Sequence, residues 1–428
     1  MKMDIFIFYG AILLAAISTS LWWIGRSALA KRANIPDVAW FLATGILTHI
    51  ALRSAGVHIA LWIRPLAAPS PMTIAASFVI LWGAAELSPQ TLRVVAGPIA
   101  ALASVGVITS ALALGFAVWA LHLTQLSLFA ALLLGAVLAG TDPTVLVSIL
   151  DQVPLSERIR EVLIAESALN DPISAILAVF FLPFVIGGAA VHPLWPAIGL
   201  QVWQAVTACG AGLTAAVAVR ALSRTRPRAL RLIAHRTEVR FLLLFCLTFT
   251  LAKAISANPF ISIFVAGLAG QPFARTGAPL PDASRHRSAT VLNIISFYVR
   301  AYIFLLLGLT IPTALHGEPL IPALIAAGLL IVAARPVSVL ASWLLFRRRL
   351  TRHETIFLCL NRQTGVMPAL LINILAADRL PEADFFRLTA ACAIALTSGL
   401  LLPLFRPLAS RLELLVATPV CNKPENTG

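Results

Sequence analysis

What most constrains this chain is the alternation of long apolar runs with short polar connections. The runs cover about 5–24, 36–54, 71–89, 95–122, 127–150, 160–186, 197–222, 238–256, 258–271, 290–312, 319–346, 354–378 and 385–411. A bilayer core of ~30 Å is crossed by about 20 helical residues, so nearly every run can span it. Lipid offers the backbone no hydrogen-bond partner, and helices at these lengths satisfy their own amides. The expectation is therefore an all-α polytopic membrane protein of about thirteen transmembrane helices. The eighth and ninth runs are short and divide at Asn258-Pro259.

Composition agrees: 59% of the 428 residues are hydrophobic and 12% are charged, outside the range of soluble domains. The net charge of +14 could point to nucleic acid, but the placement of the basic residues argues against such a partner. Arg26, Lys31 and Arg32 fall in one connection, Arg220 to Arg236 in another, Arg275, Arg285 and Arg287 in a third, Arg347 to Arg352 in a fourth. The alternate connections near 123–126, 187–196 and 313–318 carry no Lys or Arg. Basic residues mark the cytoplasmic side, so the amino terminus is expected outside and the carboxyl terminus in the cytoplasm of a cell (inner) membrane. The first run has a signal-peptide look but is too long for a typical signal core, and it is read as the first span. Five cysteines at unpaired spacings read as packing residues, and no GxGxxG, P-loop or HExxH is present.

An odd count suits an inverted repeat: one transporter domain over 1–411, with repeat one at 5–186, a linking helix at 197–222 and repeat two at 238–411. Residues 412–428 are read as a short cytoplasmic tail without a soluble domain. Under that pairing the fifth run corresponds to the twelfth. The fifth carries Gly140-Thr141-Asp142-Pro143, the twelfth Asn361-Arg362-Gln363-Thr364-Gly365-Val366-Met367-Pro368. Two matching polar, Gly- and Pro-interrupted spans point to a binding site at the membrane midplane, built from two broken, crossing helices.

Charge inside these runs carries the functional signal. Asp142 and the Glu166-Ser167-Ala168-Leu169-Asn170-Asp171-Pro172 stretch place carboxylates in mid-span, where they mark ion or proton pathways. Each aspartate precedes a proline, whose missing N–H frees a carbonyl one turn earlier. At about 100° per residue Glu166 and Asn170 share one helix face, Ser167 and Asp171 another, and Ser174 falls between. Such a set of carboxylate, hydroxyl and amide oxygens suits a hard cation such as Na⁺. A buried polar patch that merely holds helices together is the alternative.

These motifs resemble the cation:proton antiporter-1 family, the NhaP-type sodium/proton exchangers. Thr141-Asp142-Pro143 and Glu166-Ser167 with Asn170-Asp171 look like its paired motifs. Gln152-Val153-Pro154 to Arg160, Ser262 to Leu268, Ile303 to Leu309 and Arg335-Pro336 are similar to further family stretches. The resemblance implies an NhaA-like architecture, a homodimer, elevator-like alternating access, and cation/proton binding by Asp171, Asp142, Thr141, Ser167 and Asn170. Of these, Asp171, Asp142, Ser167 and Thr141 would ligate the monovalent cation (Na⁺ or Li⁺, or K⁺). No cofactor is expected beyond the transported ions.

Arg335 lies mid-span and is never neutral, so it needs a carboxylate. The resemblance supplies Glu166 as a structural partner that then does not titrate. Electrogenic relatives carry Asp-Asp where this chain has Asn170-Asp171, and an amide cannot deliver a proton. One proton for one cation, an electroneutral exchange, is the expectation. Glu86 at the end of the third run and Arg362 are candidates for the funnel or pathway, with helix-end solvation and carbonyl capping as the plainer readings. Lys253 and His49 read as span-end residues. The competing functions are an uncoupled cation channel, a sodium-coupled organic anion carrier, and an intramembrane aspartyl hydrolase using Asp142 and Asp171. The last lacks the Gly-x-Gly-Asp motif of presenilin-type enzymes, and an enzyme is not expected.

Overall fold

The computed structural model describes residues 37–56, 66, 68–86, 101–141, 153–187, 194–223, 237–270, 282–317, 320–345, 350–377, 380 and 382–415. Among them the only pairing of extended backbone is an isolated bridge between Leu155 and Leu415. The helices are α1 (Asp37–Ser54), α2 (Pro69–Glu86), α3 (Leu102–Ala120), α4 (Leu128–Leu138), α5 (Glu157–Ile186), α6 (Leu194–Ser223) and α7 (Thr237–Ala254). They continue with α8 (Pro259–Gly270), α9 (Asp282–Gly317), α10 (Leu320–Leu345), α11 (Arg352–Leu360), α12 (Val366–Ala377), α13 (Ala383–Leu401) and α14 (Leu402–Arg411). Six of the described helices are long and apolar enough to cross a membrane by length and composition.

Every expected run from 36 onward contains a helix or a pair of helices among the described residues, while 5–24 and parts of other runs, such as 142–150, lie outside them. The division at Asn258-Pro259 has a clear cause. Asn258 Oδ1 accepts from the Phe260 and Ile261 amides (3.0 and 3.3 Å), capping α8, and Pro259 opens it where no N–H is needed. One run differs from expectation. Helix α9 begins at Asp282 and takes in Arg285 and Arg287, which the hydropathy pattern assigns to a connection. An apolar run sets the membrane-buried length of a helix, and the helix itself continues into the polar flank.

Helix α1 lies along α9, α3 along α4, α4 along α5, and α8 between α6 and α2. The α1–α9 contact depends on two glycines. A Cβ on Gly45 would meet Leu305 O, and one on Gly308 would meet Leu42 O. Helix α12 is central, touching α2, α4, α5, α9 and α13. By contrast, α6 turns Leu200, Val202, Trp203, Val206, Leu213 and Val217 outward.

Two interruptions decide where the site lies. Helix α4 stops at Leu138, about 16 Å after it starts at 1.5 Å per residue, and the chain is non-helical through Thr141. Between α11 and α12 the stretch 361–365 is also non-helical, with Asn361 extended at φ −114°, ψ 116°. By contrast α5 runs unbroken through Pro172 and Pro183. A third irregularity is the wide π turn Leu330–Ala334 inside α10. Pro336 has no N–H to offer Val332, and the Arg335 amide donates five residues back to Leu330 O. The extra residue in that turn shifts the register of Arg335 by about 100° relative to an unbroken helix.

Candidate cation and proton site

The site is built where the two interruptions meet α5. Helix α5 supplies Glu166, Ser167, Asn170, Asp171 and Ser174, all 3% exposed or less. Their i, i+4 spacing turns them together, as the sequence pattern requires. Ser174 Oγ donates to Ala136 O of α4 at 2.6 Å and fixes α5 against the last turn of that helix. Thr141 Oγ1 donates to Ser167 Oγ at 2.9 Å, and Asn170 Nδ2 donates to Thr141 Oγ1 at 3.2 Å. Thr141, Ser167 and Asn170 are therefore one hydrogen-bonded unit.

Glycine at 140 is a matter of space. A Cβ there would lie 3.2 Å from Asp171 Oδ1, 3.3 Å from Met367 Cβ and 3.5 Å from Pro368 Cδ. Without a side chain, Gly140 lets the Asp171 carboxylate approach both the end of α4 and the first turn of α12. Carboxylate near a helix amino terminus is favoured by the amides that point there.

Arg335 and Glu166 form a two-pronged ion pair. Nη1 donates to Oε1, and Nη2 donates to Oε2 at 3.1 Å, with both side chains buried. Arg335 Nε also donates to Leu358 O (2.8 Å) and Asn361 O (3.0 Å), the open carbonyl end of α11. Arg362 does the corresponding work at α4, where its Nη2 donates to Leu138 O at 2.6 Å. Each interrupted helix thus ends on a buried arginine.

A small cavity of about 20 Å³, enough for one water-sized body, lies between these groups. It is lined by Thr141, Leu163, Glu166, Ser167, Arg335, Asn361, Arg362 and Gln363. Asn361 and Gln363 belong to the polar patch noted in the sequence but were not among its candidate site residues. Their position in a polar, Gly-interrupted break is the available signal.

Other candidates fall elsewhere. Asp142 lies outside the described residues. Glu86 is the last residue of α2, and its side chain is also outside them. Lys253 is exposed, its Nζ 5.9 Å from the Phe249 ring centre. His49, read as a packing residue near a span end, is five residues from the end of α1 and buried, with Nδ1 2.6 Å from Leu309 O across the α1–α9 contact. Cys209, Cys246, Cys359 and Cys392 are free, as their spacing implied.

The family model described as "sodium/hydrogen exchanger, transmembrane" matches residues 11–409. The chain belongs to that family. The family is one of transporters, and the exchanger membership fits an all-helical polytopic fold. Among its relatives, the K(+)/H(+) antiporter NhaP of Alkalimonas amylolytica is 24% identical over 354 residues, covering 81% of this chain and 57% of that protein. A protein of Methanocaldococcus jannaschii named "Probable Na(+)/H(+) antiporter 2" is 27% identical over 259 residues, 58% of each. The chain therefore spans less than two thirds of the length of these curated relatives. The solved sodium proton antiporter MjNhaP1 from Methanocaldococcus jannaschii has the same fold, with a TM-score of 0.74, 20% identity, and coverage of 95% of this chain and 99% of that one.

Proposed function

We propose that this protein is a secondary active antiporter that trades one monovalent cation for one proton at Asp171. The observation that carries the reading is the division of labour between two carboxylates on one helix. Glu166 is held by Arg335 through both oxygens, whereas Asp171 lies beside Gly140, between the end of α4 and the first turn of α12. Glu166 is then a fixed charge and Asp171 the exchangeable one.

Charge balance supports the stoichiometry. Among the described residues the buried charges of the site are Glu166 and Asp171 against Arg335 and Arg362, which cancel. Asp142, next in sequence to Thr141, would bring the cluster to a single negative charge. One monovalent cation or one proton restores neutrality, and a buried site crosses the membrane at lowest cost when neutral. Asn170 ligates without titrating, so the site exchanges one charge for one charge. Na⁺, Li⁺ and K⁺ are the candidate cargoes, and relatives carry names of both the Na(+)/H(+) and K(+)/H(+) kind.

The transport cycle is alternating access: Asp171 loads a cation on one side, releases it on the other, and returns with a proton. Repeats at 5–186 and 238–411 about α6, a homodimer, an elevator-like motion and an inner-membrane protein with a cytoplasmic carboxyl terminus complete the proposal. The loop charges support that orientation. An uncoupled channel would need the cation to pass without exchanging with a proton at Asp171.

The test is cation-driven proton flux in proteoliposomes. Asp171→Asn should retain the fold and abolish exchange, and Asp142→Asn should also disable it. Wild-type flux in Asp171→Asn would remove Asp171 from the mechanism.

A further inference from the structure

Gln363 is the second-to-last polar side chain of the α11–α12 break before Gly365, and its amide is only half satisfied. It is 4% exposed and lines the cavity with Thr141, Glu166 and Ser167. Its Nε2 donates one of its two N–H groups to Asn361 Oδ1 at 3.4 Å. Its Oε1 accepts no hydrogen bond from the protein. Asn170, across the site on α5, repeats the arrangement: Nδ2 is given to Thr141, and Oδ1 accepts nothing. Two amides from two different elements thus hold carbonyl oxygens with no protein donor, Gln363 sharing the cavity wall with Thr141 and Ser167 and Asn170 bonded to that same Thr141.

Burying an amide oxygen without a donor is unfavourable, and native structures leave few such atoms unexplained. A hard cation is well matched to neutral oxygens of this kind. Of the two guanidinium groups on the cavity wall, Arg335 is engaged by Glu166, whereas Arg362 gives Nη2 to Leu138 O and keeps Nε without a protein partner. We propose that Gln363 Oε1 is a ligand of the transported cation and sets its preference among monovalent cations. The proposal rests on the antiport reading. Because an amide does not titrate, Gln363 acts on the cation half of the cycle and leaves the proton half alone. The competing account is a water that bridges Gln363 Oε1 and Arg362 Nε, which also receives no protein partner.

The experiment compares full-length wild type, Gln363→Met and Gln363→Asn. Methionine keeps the volume and removes the oxygen, whereas asparagine keeps an oxygen one methylene further back. Thermal stabilisation of the purified protein is titrated with NaCl, LiCl and KCl against choline chloride, and exchange is followed in proteoliposomes with the same salts. Gln363→Met should raise the half-saturating concentration of the preferred cation about tenfold, the size expected for one lost oxygen contact. It should change the ratio between cations and leave the pH of half-maximal exchange at saturating cation where it was. Gln363→Asn should fall between, and it carries the test if the methionine variant does not fold. Unchanged half-saturation for all three cations overturns the proposal while exchange itself persists. A stability loss equal in choline and in Na⁺, with cation preference intact, favours the bridging water and also overturns it. If wild type binds cation in a Gln363-dependent way but exchanges nothing, the ligand assignment stands and the antiport reading fails. Wild type that neither binds nor exchanges sinks both.

Discussion

The two helix interruptions solve the same problem with different surroundings. At each, a helix stops inside the protein with its carbonyl end open, and at each an arginine closes it. Arg335 donates to Leu358 O and Asn361 O at the end of α11, while Arg362 donates to Leu138 O at the end of α4. The difference is the counter-charge. Arg335 holds Glu166 through two hydrogen bonds, and among the described residues no carboxylate pairs with Arg362. One cap is therefore electrically closed, and the other leaves a positive charge that, in the proposed exchange, balances the carboxylates of the site. The comparison separates residues that maintain the architecture from residues that set the charge the site must carry.

Breaking the closed cap should have the largest effect. Glu166→Gln or Arg335→Met leaves the surviving partner as an unpaired buried charge, and loss of about 3–5 kcal/mol of stability is expected. Thermal unfolding in detergent reads it directly. Replacing both by apolar residues should recover part of the loss, and single variants as stable as wild type would show that the pair carries no such weight.

Opening the other cap should cost less and change function more. Arg362→Met leaves Leu138 O without its donor, a loss of about 1–3 kcal/mol. It also removes a positive charge close to the site, which favours the protonated carboxylate. The pH of half-maximal exchange should move upward, because a more tightly held proton yields to the cation only at higher pH. An unchanged profile would mean that Arg362 is a cap and nothing more.

How much of this was legible in the sequence depends on the range of the interaction. The α8 start at Asn258-Pro259 and the break at 361–365 follow from local chemistry, a capping amide and a cluster of polar residues with glycine. The i, i+4 grouping of Glu166, Ser167, Asn170 and Asp171 is helix geometry and was equally visible. What the sequence does not expose is which carbonyl a buried donor will reach. Arg362 meets Leu138 O across 224 residues, and His49 meets Leu309 O across 260. The π turn ahead of Arg335 also escapes hydropathy, although Pro336 is a local reason for it. Gln363 was visible as a polar residue, but only the packed site distinguishes its bonded amine from its unbonded oxygen.

The smallest effect sharpens the comparison at neutral contacts. Ser174→Ala removes the hydrogen bond to Ala136 O that ties α5 to α4 just before the interruption. A loss of about 0.5–1.5 kcal/mol is expected, with exchange retained, because no charge is disturbed. A cost as large as that of Glu166→Gln would mean that the charged cap is not what distinguishes the two breaks.

The central claim is that one cation is exchanged for one proton at one carboxylate. It is tested most directly by cation-driven proton flux in proteoliposomes under a potassium/valinomycin potential and again at zero potential, with Na⁺ or Li⁺ as the driving cation. A cycle that moved one net charge would respond to voltage at about 2.3 kcal/mol per 100 mV. One-for-one exchange gives the same rate and the same end point at both potentials. A rate or end point that follows the imposed potential would contradict it.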